Sequence, residues 1–86
     1  MFVILVYDVQ QKRVGKIMRI CRKYLRHVQN SVFEGAITES KLRELQEELK
    51  TSIECAYDSV QLYSTNWPQY LDKEQIGLVE EFSHII

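Results

Sequence analysis

The chain has 86 residues, of which 45% are hydrophobic and 27% charged, a composition that excludes a disordered or fibrous protein and fits one globular domain with a modest core. A domain of this size commonly gains further burial by associating with a second copy. No stretch approaches the length of a membrane span and the apolar start lacks the basic region of a signal peptide, so a soluble cytoplasmic protein with no membrane association is expected.

Phe2 to Tyr7 is a continuous apolar run rich in β-branched and aromatic residues, which predicts a central strand covered on both faces. It stops at Asp8, so the strand reads "LVYD" at its end. From about Lys12 to Arg26 the apolar positions Val14, Ile17, Met18, Cys21, Tyr24, Leu25 and Val28 recur at helical spacing, and Lys16, Arg19, Lys23 and Arg26 form a cationic stripe opposite them. The stretch "VQNSVFEGAI", Val28 to Ile37, has strand formers at both ends and a kink or tight turn near Asn30 or Gly35; one bent strand and a short hairpin both fit. Thr38 is a suitable N-cap and Glu39 suits the positive end of a second helix, whose buried stripe is Leu42, Leu45, Leu49 and Ile53. "DSVQLYS" sets Val60 and Leu62 against Ser59, Gln61 and Tyr63, the pattern of a half-buried strand. Pro68 ends that region and leaves a tail, from about Asp72 to Ile86, with too many apolar groups to remain in water.

Strand, helix, strand or hairpin, helix, strand is the order of a ferredoxin-like α/β sandwich, so residues 1–86 read as a single βαββαβ domain. In that topology the last strand runs antiparallel beside the first, and Asp58 could approach Asp8. The tail at about 72–86 is expected to dock as an extra strand on a sheet edge, in the same chain or in a second copy, and the chain to form a homodimer with a two-fold axis.

The net charge of −1 conceals a strong asymmetry. Between Val9 and Phe33 lie Lys12, Arg13, Lys16, Arg19, Arg22, Lys23 and Arg26 with no acid, whereas four basic residues and eleven acids follow from Glu34 onward. A local basic patch attracts phosphates whatever the total charge; the competing reading is a solvated face paired with the acidic helix. Cys21 and Cys55 lack metal-site spacing and read as reduced, structural thiols.

A first strand ending in "YD", a basic helix, "VQNSVFEG" and a late "DSVQLY" together resemble the Cas-two family of CRISPR-associated proteins, the small partner of the spacer-acquisition integrase, over roughly residues 1–64. The resemblance implies a ferredoxin-like homodimer, a role in CRISPR adaptation, binding to the integrase partner and to duplex DNA, and a divalent metal, Mg2+ or Mn2+, at Asp8. It also implies metal-dependent endonuclease activity on RNA or DNA, single-stranded RNA included. One Asp per chain is a thin magnesium site, and two copies of Asp8 across a dimer axis would supply two carboxylates. Tyr7 is then expected to position a water or phosphate beside Asp8, with Arg13, Lys16, Arg19 and Lys23 on the nucleic-acid backbone. Other readings remain open: Asp8 as a turn or capping acid, a non-catalytic nucleic-acid scaffold, and an RNA-cleaving toxin resembling virulence-associated protein D.

Overall fold

The computed structural model describes residues 1–66; the expected tail at about 72–86 lies outside the described residues. The elements in chain order are β1 (Phe2–Asp8), α1 (Gln11–Arg22), β2 (Arg26–Gln29), β3 (Val32–Ala36), α2 (Glu39–Lys50) and β4 (Ser59–Thr65). The strands form one antiparallel sheet in the order β2-β3-β1-β4, so β1 is central and the fold is ferredoxin-like.

Helix α1 ends at Arg22, four residues before the expected limit. The Leu25 amide still bonds to the Cys21 carbonyl at 2.8 Å, but Arg26 already pairs with Glu34 in the sheet. Tyr24 and Leu25 continue the helical spacing because they pack on the same core from the turn that follows the helix. Of the two options at residues 28–37, the structure has the hairpin. Its turn is Asn30-Ser31, with Asn30 at φ 43, a left-handed conformation that asparagine tolerates better than most residues, and Gly35 lies inside β3. At α2, the Thr38 side chain accepts the Lys41 amide at 3.1 Å, with Glu39 in the first turn and Lys50 in the last.

The core lies between the helices and one face of the sheet. Val3, Leu5 and Tyr7 of β1 meet Phe33 of β3, Ile17, Ile20 and Cys21 of α1, and Leu45 and Leu49 of α2. Because side chains alternate along a strand, Phe2, Ile4, Val6 and Asp8 point the other way. Register places Ile4 between Tyr63 and Glu34, and Val6 between Gln61 and Val32. The apolar run of β1 predicts cover on both faces, yet both helices lie on one. On the other, Phe2, Ile4 and Val6 are half-buried and Tyr63 is exposed.

Leu45 has no exposed surface, so Leu45→Ala should lower the unfolding free energy by about 2–5 kcal/mol. Thr38→Ala removes only a cap and should cost ~1 kcal/mol. Urea titration of both variants checks the order; equal losses would contradict the assigned core.

Candidate functional site

The end of β1 sets the geometry of the site. Asp8 is the last strand residue, is exposed, and sits opposite Ser59 of β4. Its carboxylate has no hydrogen-bond or ion-pair partner among the described residues. Tyr7, one residue earlier, faces the helices: it is 4% exposed, its ring lies 6.2 Å from that of Phe33, and burial pushes its phenol upward. Strand alternation therefore separates two residues that are adjacent in sequence, and corrects Tyr7 to a core position. Its contribution at the strand end is through the backbone, where its amide donates to the Ser31 carbonyl at 3.1 Å.

Asp58 approaches Asp8 in sequence register but belongs to a different network. Its side chain is fully buried, and its two oxygens accept four N–H groups. Oδ1 takes the Gln10 amide at 2.9 Å and Arg13 Nη2 at 3.0 Å; Oδ2 takes Arg13 Nε at 2.5 Å and the Glu54 amide at 2.9 Å. The Arg13 fork, with the Glu54 and Gln10 amides, holds this carboxyl well below the usual carboxylate range. Arg13 also donates from Nη2 to Gln10 Oε1 at 2.9 Å, leaving Nη1 without a partner among the described residues. Arg13 is thus mainly an internal partner, with one edge of its guanidinium left over.

The cationic stripe divides in the same way. Lys12, Lys16 and Arg19 are exposed on α1 and form no ion pair among the described residues. Lys23 lies past the helix end, where its Nζ meets Glu48 Oε1 at 2.5 Å and sits 5.8 Å from the Tyr24 ring centroid. The Tyr24 hydroxyl donates to the other Glu48 oxygen, which pushes its phenol up to about 12, and the same contacts with Lys23 and Tyr24 hold Glu48 low. Arg26 pairs with Glu34 at 3.0 Å. The acid-pairing reading of the basic segment holds for Arg13, Lys23 and Arg26, while Lys12, Lys16 and Arg19 keep unpaired charges among the described residues.

His27, which the helical spacing would put near a helix end, lies in β2, stacked on Phe33 at 4.6 Å with Nε2 donating to the Asn30 carbonyl at 2.7 Å. Cys21 is buried and its thiol is pushed up to about 12 by desolvation; Cys55 is exposed. A groove of about 490 Å³, lined by Met1, Lys23, Tyr24, Ala36, Ile37, Thr38 and Lys41, opens at the start of β1, away from Asp8.

Among the described residues no three His, Cys, Asp or Glu side chains gather into a metal cluster. Asp8 offers one open carboxylate, a hard oxygen donor of the kind magnesium and manganese accept. The Arg13–Asp58 pair escapes sequence reading because its members are 45 positions apart, beyond any local spacing rule. No helix among the described residues is long and apolar enough to cross a membrane.

The family model described as CRISPR associated protein Cas2 matches residues 1–73. Relatives named CRISPR-associated endoribonuclease Cas2 from Dictyoglomus turgidum and Thermotoga maritima are 42% and 44% identical over 78 residues, spanning 91% of this chain and 90% of each relative. A crystal structure of Cas2 that is 35% identical aligns with a TM-score of 0.81, covering 100% of this chain and 97% of its own.

The depressed Asp58 carboxyl sets a pH dependence. The unfolded chain takes up this proton near the ordinary carboxylate value of ~3.9 and the folded chain only well below it. The clamp therefore stabilises fully above about pH 5 and loses its contribution as pH falls toward the folded value. Asp58→Asn should lower the thermal midpoint at pH 7, and its gap from wild type should narrow as pH drops from 5 to 3. A gap that widens on acidification would contradict this assignment.

Proposed function

The chain belongs to the CRISPR associated protein Cas2 family, and on that premise we propose that it is a homodimeric, divalent-cation-dependent endonuclease of CRISPR adaptation. Single-stranded RNA is its first substrate, by likeness to relatives named endoribonucleases. It also binds duplex DNA and the integrase partner in the same role. One observation carries this reading: Asp8 is an open carboxylate at the end of a row of half-buried apolar side chains, Phe2, Ile4 and Val6 with Val32 beside them, on the sheet face turned away from the helices. Two copies meeting across that face bury those side chains and bring two Asp8 residues toward one axis, which turns half a cation site into a whole one.

Phosphodiester hydrolysis joins a water oxygen to phosphorus and breaks the P–O bond in line with it, the proton passing to the leaving oxygen. Mg2+ or Mn2+, when bound, would supply a more acidic water and would neutralise charge on the phosphate. The two Asp8 carboxylates would hold that ion at the subunit boundary. Lys12, Lys16 and Arg19 hold the adjoining backbone phosphates, and the Arg13 Nη1 edge adds a fixed donor nearer the turn. Tyr7 keeps the strand end in place from inside the core. The unpaired cations of α1 also support a scaffold reading, in which the dimer bridges integrase subunits and carries duplex DNA without cutting it.

Wild type should cleave labelled single-stranded RNA with magnesium or manganese and stop with chelator, and Asp8→Ala should be inactive in every condition. Equal cleavage by both proteins, or none by either, would favour the scaffold. Ile4→Glu places a charge in the apolar face and should give a monomer in sedimentation at micromolar concentration; a persistent dimer would move the interface elsewhere. Lys12, Lys16 and Arg19 changed together to Ala should flatten the salt dependence of DNA binding by about 0.9 in log–log slope for each phosphate no longer neutralised. Lys23→Ala should change it less, because Glu48 already holds that ammonium.

A further inference from the structure

We propose that Asp58 is a positioning residue for the strand end that carries Asp8, acting through the turn between β1 and α1 and through Arg13. The proposal rests on the reading of Asp8 as a cation-holding group. Gln10 lies two residues beyond Asp8 and caps α1 in extended conformation, yet no side chain of its own turn bonds to the helix start. The amide of an N-cap residue is one of the free donors of a helix start, and in a capping box a Glu or Gln three residues on reaches back to accept it; that position here is Arg13. Here the acceptor comes from 48 residues away: Asp58 Oδ1 takes the Gln10 amide at 2.9 Å.

Asp58 immediately precedes Ser59, the residue paired with Asp8 across the sheet. Asp8 is consequently held from two sides, by its own ladder pairing with Ser59 and by the anchored turn two residues later. The Glu54 amide bond to Asp58 Oδ2 fixes the carboxylate from the loop before β4, so the anchor itself has little freedom. Arg13 is held by the same two oxygens through Nε and Nη2, which sets the plane of its guanidinium. The remaining Nη1 is then a pre-oriented donor and loses little side-chain entropy on meeting a phosphate oxygen. A single buried carboxylate thereby places the cation acid and orients a candidate phosphate donor without touching substrate.

A clamp that only stabilised the fold would behave differently, and the contrast with Tyr24→Phe exposes it. That change releases the Tyr24–Glu48 bond at the other end of α1. The full chain is compared as wild type, Asp58→Asn, Tyr24→Phe and Asp8→Ala, by Mn2+ binding in electron paramagnetic resonance and by exchange of the Gln10 amide in NMR. Asp58→Asn should speed Gln10 exchange and weaken Mn2+ binding about 10-fold or more, the range seen when groups behind a metal ligand are changed. Tyr24→Phe should leave both readings within about twofold of wild type, a window set well inside that range. If Asp58→Asn does not fold, Arg13→Gln breaks the pair from the other side and is read the same way. Mn2+ binding unchanged in Asp58→Asn but abolished in Asp8→Ala overturns the positioning role alone. Mn2+ binding unchanged in Asp8→Ala overturns the cation reading, and the positioning role falls with it.

Discussion

A sheet with helices on one face only has a second face to account for, and in this chain the consequences run through every part of the site. Both α1 and α2 pack against the side chains of Val3, Leu5 and Tyr7. Strand alternation commits Phe2, Ile4 and Val6 to the opposite side, although they are as apolar as the residues in the core. The same alternation carries Asp8 to that side, at the end of the row. A carboxylate there points away from the Tyr7 side chain, and its natural neighbours are whatever covers Phe2, Ile4 and Val6. The proposed second copy answers the burial of the apolar row and the shortage of carboxylates with one interface.

The buried ion pair at the start of α1 carries a related burden. Burying a carboxylate is costly unless its lone pairs are satisfied. Asp58 accepts four N–H groups, two from the Arg13 fork and two from backbone, so little of that cost remains uncompensated. The bonds tie together the turn after β1, the first turn of α1 and the loop before β4. Those three segments frame the end of the central strand, and their mutual order sets how firmly Asp8 is placed. A Glu or Gln at the Arg13 position would accept the Gln10 amide locally, but would not couple that start to β4.

The order of elements is legible in the sequence because each carries a local signature. The apolar run of β1, the Thr38 cap and the alternation of β4 all depend on residues within a few positions of one another. The end of α1 is not, since Tyr24 and Leu25 keep the helical spacing while packing from a turn. Asp8 is legible as an acid ending a buried strand, and the period of two already implies that Tyr7 looks the other way. The pairings of Asp58 with Arg13 and of Glu48 with Lys23 stay hidden because they join residues 45 and 25 positions apart, brought together only by the fold.

Those pairings also resolve how a chain of net charge −1 can present a cationic surface. The acids of the second half do not neutralise the basic segment evenly. They take the cations at its margins: Asp58 engages Arg13, Glu48 engages Lys23, and Glu34 engages Arg26. Lys12, Lys16 and Arg19, on the outer side of α1, keep their charges free among the described residues. Selective pairing concentrates the remaining positive potential in one stripe along a rigid helix, a sharper cue to a polyanion than the same charges spread over the molecule. The stripe begins a few residues beyond Asp8, on the helix whose start Asp58 anchors.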